Sequence, residues 1–350
     1  NGNLLAGNVS VSTISVIHSQ VKEPERVISI LSKELGIDEA TIRKKVEKVS
    51  SREKIKSNVE KEVSDRIRGY RLAGVTVDED YKRYYEYGSL ASKVLGFTGG
   101  DNQGIIGLEV SYEKFLKGID GSILTMTTAG GTEIKNGAED RIEPVAGWTL
   151  TTSLDLNVMK YANQVAYTLL EQKQAKTVEI IIMNPQNGEI YAMVNAPEFD
   201  LNHPYELTGG SEGLSQKEKM DKLNNQWRNL AVSDTYEPGS TFKVITTAAA
   251  LDKGVVKMTD TFSCPGYKIV EDRRIRCHKT TGHGSETFLQ GIMNSCNPVF
   301  MEVGARVGVS GMFEEINRLG ILKKTGIDVP GEAGTIMHKK ENVGAVELAT

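Results

Sequence analysis

Ser240-Thr241-Phe242-Lys243, entered through Glu237-Pro238-Gly239 and followed by an apolar, Ala-rich run to Gly254, carries the chemistry most readily read from this chain. Residues three apart on a helix share a face, so the Lys243 amine is expected within hydrogen-bond reach of the Ser240 hydroxyl on the first turn of a buried helix. A serine hydroxyl is a poor nucleophile without a base. A lysine desolvated against Phe242, Val244 and Ile245 supplies one, because burial favours the neutral amine. The plainer alternative is a helix N-cap serine followed by a solvated lysine. A second hydroxyl and an amide occur in Ser295-Cys296-Asn297, where they can bracket the nucleophile and hold a substrate carbonyl. Asn297 before Pro298 also reads as an N-cap with proline at N1, opening a helix through Val307. Thr287-x-x-Gln290 reads as a capping box at the start of the apolar segment Phe288 to Met293, which leads into Ser295.

All three cysteines fall between residues 264 and 296, and with His283 they give Cys264, Cys277, His283 and Cys296 at separations of thirteen, six and thirteen. Three sulfurs and one imidazole suit a closed, structural zinc site. Gly282-His283-Gly284 sets the imidazole on a tight turn, and Cys296 ties such a metal to the Ser295-Asn297 turn. His278 and Asp260 are possible substitutes. The rival readings are three small buried hydrophobes, or a Cys264–Cys277 disulfide that leaves Cys296 alone.

The elements that must position these groups are α and β in mixture. The chain has 350 residues, 39% hydrophobic and 25% charged, enough for two or more domains. A net charge of −4 without basic, aromatic-interleaved clusters excludes a nucleic-acid surface. No apolar run reaches the ~18 residues of a membrane span. The abrupt start and finish suggest a fragment at both ends. Residues 9–17 read as a strand, Pro24 to about Gly69 as helical with a stop at Gly36 and a restart at Asp38, and 69–147 as Gly-rich turns and short strands, including Gly99-Gly100 and Gly130-Gly131. After Trp148 a strand is expected at 150–155, a helix at about 157–173, a hairpin at 178–194 with an Asn187-Gly188 turn, and a loop with one short helix at 202–226. The division expected is 1–147, with a helical subdomain at about 22–68, and 148–350.

Serine-x-x-lysine and serine-x-asparagine are two of the three signatures of penicillin-binding proteins and serine β-lactamases. Together with Asn195-Ala196-Pro197-Glu198-Phe199-Asp200, Arg228-Asn229, Tyr236-Glu237-Pro238-Gly239 and Lys324-Thr325-Gly326-Ile327-Asp328-Val329-Pro330-Gly331-Glu332, they make the chain resemble the class B, monofunctional penicillin-binding proteins. In the first half, Asn1-Gly2-Asn3-Leu4-Leu5-Ala6, Gly107-Leu108-Glu109 and Leu116-x-Gly118-x-x-Gly121 resemble that family's pedestal. Arg83-Tyr84-Tyr85-Glu86 departs from it, since the family has a proline after the tyrosine.

The resemblance implies an α+β multidomain fold, an N-terminal pedestal or dimerisation-like domain followed by an antiparallel-sheet transpeptidase domain that stops short at its C-terminus. It implies a D,D-transpeptidase in which Ser240 attacks the penultimate D-alanine of a peptidoglycan stem peptide, Lys243 takes its proton, Ser295 relays protons and Asn297 holds the substrate amide. The acyl transfer needs no cofactor, and some relatives are similar in carrying a metal where Cys264, Cys277, His283 and Cys296 lie. β-Lactams are the implied inhibitors, and a polytopic SEDS-type glycosyltransferase the implied partner. A single N-terminal membrane anchor, outside this chain, and an extracytoplasmic catalytic domain in a bacterium are the implied location. Lys324-Thr325-Gly326 has the letters of the third signature but no strand pattern and reads as a structural segment, so the true third motif is expected after Thr350. The alternatives are a serine β-lactamase, a β-lactam sensor and a non-catalytic assembly scaffold.

Overall fold

The computed structural model describes residues 2–125 and 139–349. They form two compact units, one of residues 1–232 with 328–330, the other of residues 233–327 with 331–350. Every ladder is antiparallel. No helix among the described residues is long and apolar enough to cross a membrane.

In the first unit a central strand, Ala6–Val16, pairs with Glu53–Val59 on one side and Val75–Tyr85 on the other. Helices Pro24–Leu35 and Glu39–Val46 cover this sheet. The expected spacing is realised, since Val27, Ile28, Leu31 and Leu35 are all buried, in one core with Ile14, Val16, Ile42, Val46, Ile55, Val59 and Ile67. Gly36 ends the first helix in the left-handed conformation, and Asp38 caps the second by accepting from Thr41 N at 2.8 Å.

Three expectations in this half are corrected. The region from Pro24 to about Gly69, read as helical with a restart at Asp38, contains the strand Glu53–Val59; Ile55 and Val59 are four apart, a spacing shared by helices and strands, and the ladder with Ala6–Val16 decides it. The supposed short strands after residue 69 begin with an eleven-residue one, Val75–Tyr85. Residues 150–155 pair in no ladder: Asp155 instead caps helix Leu156–Lys173, accepting from Asn157 N and Val158 N at 2.9 and 3.0 Å. Gly130-Gly131 lies outside the described residues. The hairpin appears as Val178–Met183 with Ile190–Ala196, with Gly188 at φ +80° in its turn. The single helix expected within 202–226 runs Gln216–Trp227, closed by a Ser215/Glu218 capping box.

A buried polar network explains why this unit continues past Trp148. Lys93 Nζ donates to Asn195 O at 3.0 Å, Ser92 Oγ donates to Glu198 Oε2, Glu198 Oε1 accepts from Asn195 N at 3.0 Å, and Asn195 Oδ1 accepts from Ala231 N at 3.0 Å. Burial pushes Glu198 up and Lys93 down, each against the pull of the other's charge. Three segments distant in sequence are thereby joined by groups that are too costly to leave unpaired.

In the second unit, helix Lys243–Asp252 and the long helical stretch Asn297–Arg318 meet through Ala249, Ala250, Val299, Phe300, Val303 and Val307, in one core with Phe262, Phe288 and the three cysteines. Gly308, at φ 69°, breaks the long stretch just after Val307, where the sequence reading ended it. Short ladders join Thr261–Cys264 to Gly284–Thr287 and Tyr267–Val270 to Arg273–Arg276.

Candidate active site and metal centre

Ser240 lies in a tight 3-10 turn, Gly239–Phe242, that leads directly into helix Lys243–Asp252. Ser240 is exposed and Lys243 half-buried. The helix is less buried than expected: Val244 is 70% exposed, and among the described side chains of the helix only Ala249 and Ala250 are fully covered. Val244 therefore cannot be what desolvates Lys243. That role falls to Phe300, whose ring centroid is 5.3 Å from Nζ, and to the Ser295–Asn297 turn.

The lysine amine points at that turn. Nζ donates to Ser295 O at 2.8 Å and to Asn297 Oδ1 at 2.6 Å, and it lies 3.1 Å from Ser295 Oγ. The expected hydrogen bond to Ser240 is absent among the described residues, because these three acceptors already occupy the ammonium's three donors. Burial lowers the Lys243 pKa below the ordinary lysine value, opposed by the sulfurs of Cys277 and Cys296. Ser240, Lys243, Ser295 and Asn297 thus belong to one unit, with three of the four in direct contact.

The turn is built by its neighbours. Helix Phe288–Met293 starts at the expected Thr287/Gln290 capping box and ends in a Schellman motif, with Cys296 N donating to Gly291 O at 2.9 Å and Ser295 N to Ile292 O at 3.0 Å. The left-handed residue of that motif is Ser295 itself, at φ 48°, where glycine is usual. A non-glycine residue held in this region is a mark of a constrained site. The cap of the next helix is Cys296, with Asn297 already helical, one residue earlier than the sequence suggests. Asn297 is thereby released from capping: its Oδ1 faces Lys243 and its Nδ2 donates to Arg276 O at 2.9 Å.

Cys264, Cys277, His283 and Cys296 converge as expected, all four ligand atoms lying within 4.8 Å of one another. The three cysteines are free and buried. His283 Nδ1 is 3.6 Å from Cys264 Sγ and 3.7 Å from Cys277 Sγ. Sulfur and nitrogen on a tetrahedral zinc stand about 3.6 Å apart, so the donor set and its spacing fit that ion. Cys264 and Gly284 face each other in a ladder, and Gly282 (φ +83°) is required, since a Cβ there would come 2.3 Å from Cys264 O. Burial, then contact with the Glu286 carboxylate, pushes Cys296 up; burial also acts on Cys264, but the backbone N–H groups of His283 and Gly266, with the Cys296 and Cys277 thiols, together bring it down. A divalent cation reverses the effect of burial by stabilising the thiolates. Asp260, one suggested substitute, accepts from Lys257 N at 2.9 Å, while His278 is exposed with Nδ1 3.8 Å from Cys277 Sγ.

Lys324-Thr325-Gly326 forms no strand. The Glu332 carboxylate accepts from Thr325 N, Thr325 Oγ1 and Gly326 N, at 2.5, 2.8 and 3.2 Å. Sequence reading missed Glu286, a buried acid three residues after His283, and the bond from Lys93 to Asn195 O. The i,i+3 spacing of His283 and Glu286 was the only available signal for the former.

Comparison with known proteins agrees with this geometry. Residues 178–349 match the family described as the penicillin binding protein transpeptidase domain, and residues 1–152 the penicillin-binding protein dimerisation domain. The chain is 38% identical to stage V sporulation protein D of Bacillus subtilis, over all of this chain and 53% of the relative. It is 28% identical to peptidoglycan D,D-transpeptidase FtsI of Escherichia coli, over 83% of this chain and 46% of that one. It therefore spans about half the length of the curated relatives it matches. Among solved structures, the complex between penicillin-binding protein PBP2 and MreC from Helicobacter pylori superposes with a TM-score of 0.74 at 24% identity, over 95% of this chain and 65% of that one, a likeness of fold.

Proposed function

Given that the chain belongs to the class B penicillin-binding proteins, with a dimerisation segment followed by a transpeptidase segment, we propose that it is part of a peptidoglycan D,D-transpeptidase acylated at Ser240. The observation that carries this reading is the Lys243 amine gathered by Ser295 and Asn297 next to an exposed serine. Ser240 Oγ attacks the carbonyl carbon of the penultimate D-alanine while Lys243, neutral, takes its proton. The peptide bond breaks, and the proton passes through Ser295 to the departing amine of the terminal D-alanine. An amine of a neighbouring strand then attacks the ester and regenerates Ser240. The N–H of Ser240, at the open end of its turn, is the proposed oxyanion donor. Asn297 holds the substrate amide, exchanging its bond to Arg276 O for one to the substrate. β-Lactams acylate Ser240 as mimics of the donor.

Cys264, Cys277, His283 and Cys296 are the proposed holders of a structural Zn²⁺, which would supply cross-linking of these segments and no activation of water. We assign residues 1–147 as the pedestal and 148–350 as the catalytic segment, place the third signature after residue 350, and propose an extracytoplasmic catalytic domain anchored by one N-terminal span. A polytopic SEDS-type glycosyltransferase is the proposed partner. In cells carrying the full-length protein, Ser240→Ala is expected to abolish its share of cross-linked muropeptides. Undiminished cross-linking would favour an assembly scaffold. Rapid β-lactam hydrolysis by the purified protein would instead favour a β-lactamase.

A further inference from the structure

The strand Gly284–Thr287 brings a second acid-bearing position to the sulfur cluster. Glu286 is 4% exposed. Its Oε2 accepts from Asn294 Nδ2 at 2.9 Å, whereas Oε1 is buried and has no hydrogen-bond partner among the described residues. A buried carboxylate oxygen in that condition is unfavourable, and its position calls for a donor or a cation. Oε1 stands 3.9 Å from His283 Nδ1, the nitrogen nearest two of the sulfurs, and the carboxylate faces the Cys296 thiol. Such a separation is long for a hydrogen bond and about half an ångström beyond the roughly 3.4 Å between a nitrogen and an oxygen on one tetrahedral zinc, a gap that a small side-chain shift closes.

We propose that Glu286 is the reserve ligand of the Cys264–Cys277–His283–Cys296 site, the carboxylate that takes the metal's fourth position when Cys296 leaves it. The inference rests on reading the cluster as a divalent-metal site. Zinc accepts carboxylate oxygen as well as thiolate, so the exchanged set, two sulfurs, one nitrogen and one oxygen, remains a normal one. Asp260 is engaged with Lys257 N and His278 is open to water, which leaves Glu286 as the unsatisfied buried group beside the cluster. Cys296 is the ligand lying between Ser295 and Asn297, so the exchange keeps the metal on Cys264, Cys277 and His283 while releasing the turn that holds Lys243.

Cobalt(II) loading of the purified protein tests this, with affinity measured by competition against a chromophoric chelator and thiolate count by charge-transfer absorption. Glu286→Gln is expected to bind within about threefold of wild type. Cys296→Ser should lose one thiolate's absorption yet bind within about tenfold, and Cys296→Ser/Glu286→Gln should bind at least about a hundredfold more weakly than Cys296→Ser. Cys264→Ser, combined with Glu286→Gln, controls for general damage and is expected to show no such coupling. Equal affinities for Cys296→Ser and the double variant overturn the inference alone, as does an equal loss in the Cys264→Ser background. A wild-type protein that takes up neither cobalt nor zinc overturns the metal reading, and the inference with it.

Discussion

Lys243 is the residue whose surroundings decide the chemistry. The structure replaces a simple serine–lysine hydrogen bond with an amine shared between Ser295 and Asn297. As a base it works only when neutral, and burial favours that form. Acylation by a β-lactam should therefore accelerate with rising pH and level off at an inflection below 10.5, the ordinary lysine value. Stability follows the same sign: between the lowered folded value and 10.5 the unfolded chain binds more protons, so stability rises with pH across that window. Stopped-flow acylation across pH checks the first claim, and Lys243→Arg, permanently charged, should slow acylation at least about a hundredfold. Thr325→Ala makes the contrasting case. It removes a hydroxyl bound to Glu332 and should leave acylation within about twofold, since surface changes away from the site are small. The residue types of the site were legible because Ser-x-x-Lys, Ser-x-Asn and the Cys/His set are local words. The partner chosen by Lys243 was not, because Ser295 and Asn297 are more than fifty positions away and only tertiary packing brings them near.

The elements around the turn explain why it is held so firmly. The helix ending at Met293 is closed by a motif that includes Ser295, and the helix beginning at Asn297 is capped by Cys296, so no flexible linker separates the two. Thr287→Ala removes the capping box of the first helix and should cost about 1 kcal/mol in an unfolding titration. Helices with clean periodicity and punctuation, such as Pro24–Leu35 ending at Gly36, were readable from sequence. The strand Glu53–Val59 was not, because its lysines and its four-residue apolar spacing suit a solvated helix equally well. Residues 150–155 look β-like, yet they meet the neighbouring hairpin through the Ser153 hydroxyl on Ile190 O and the Asp155 N–H on Tyr191 O, while the Asp155 carboxylate caps the helix.

At the scale of the whole molecule, two buried polar clusters do different work. Lys93, Asn195 and Glu198 tie distant stretches of the first unit together, and the cysteine–histidine cluster ties short strands and helix ends of the second. Removing one member of a buried polar network leaves its hydrogen-bond partner unsatisfied. Lys93→Ala leaves the buried Asn195 O without its donor and is expected to destabilise the first unit by about 1–3 kcal/mol, read as a lowered unfolding midpoint. Neither network has a periodic signature: the family words Asn195-Ala196-Pro197-Glu198 and Arg228-Asn229 were visible in sequence, but the lysine that joins them lies about a hundred residues earlier. Ser240 is the residue proposed to carry the acyl group. Its most direct test is mass spectrometry of the full-length protein after exposure to benzylpenicillin, followed by peptide mapping. A single, long-lived penicilloyl adduct on the peptide containing Ser240, lost in Ser240→Ala, is the predicted result; no adduct, or one that persists in Ser240→Ala, would contradict it.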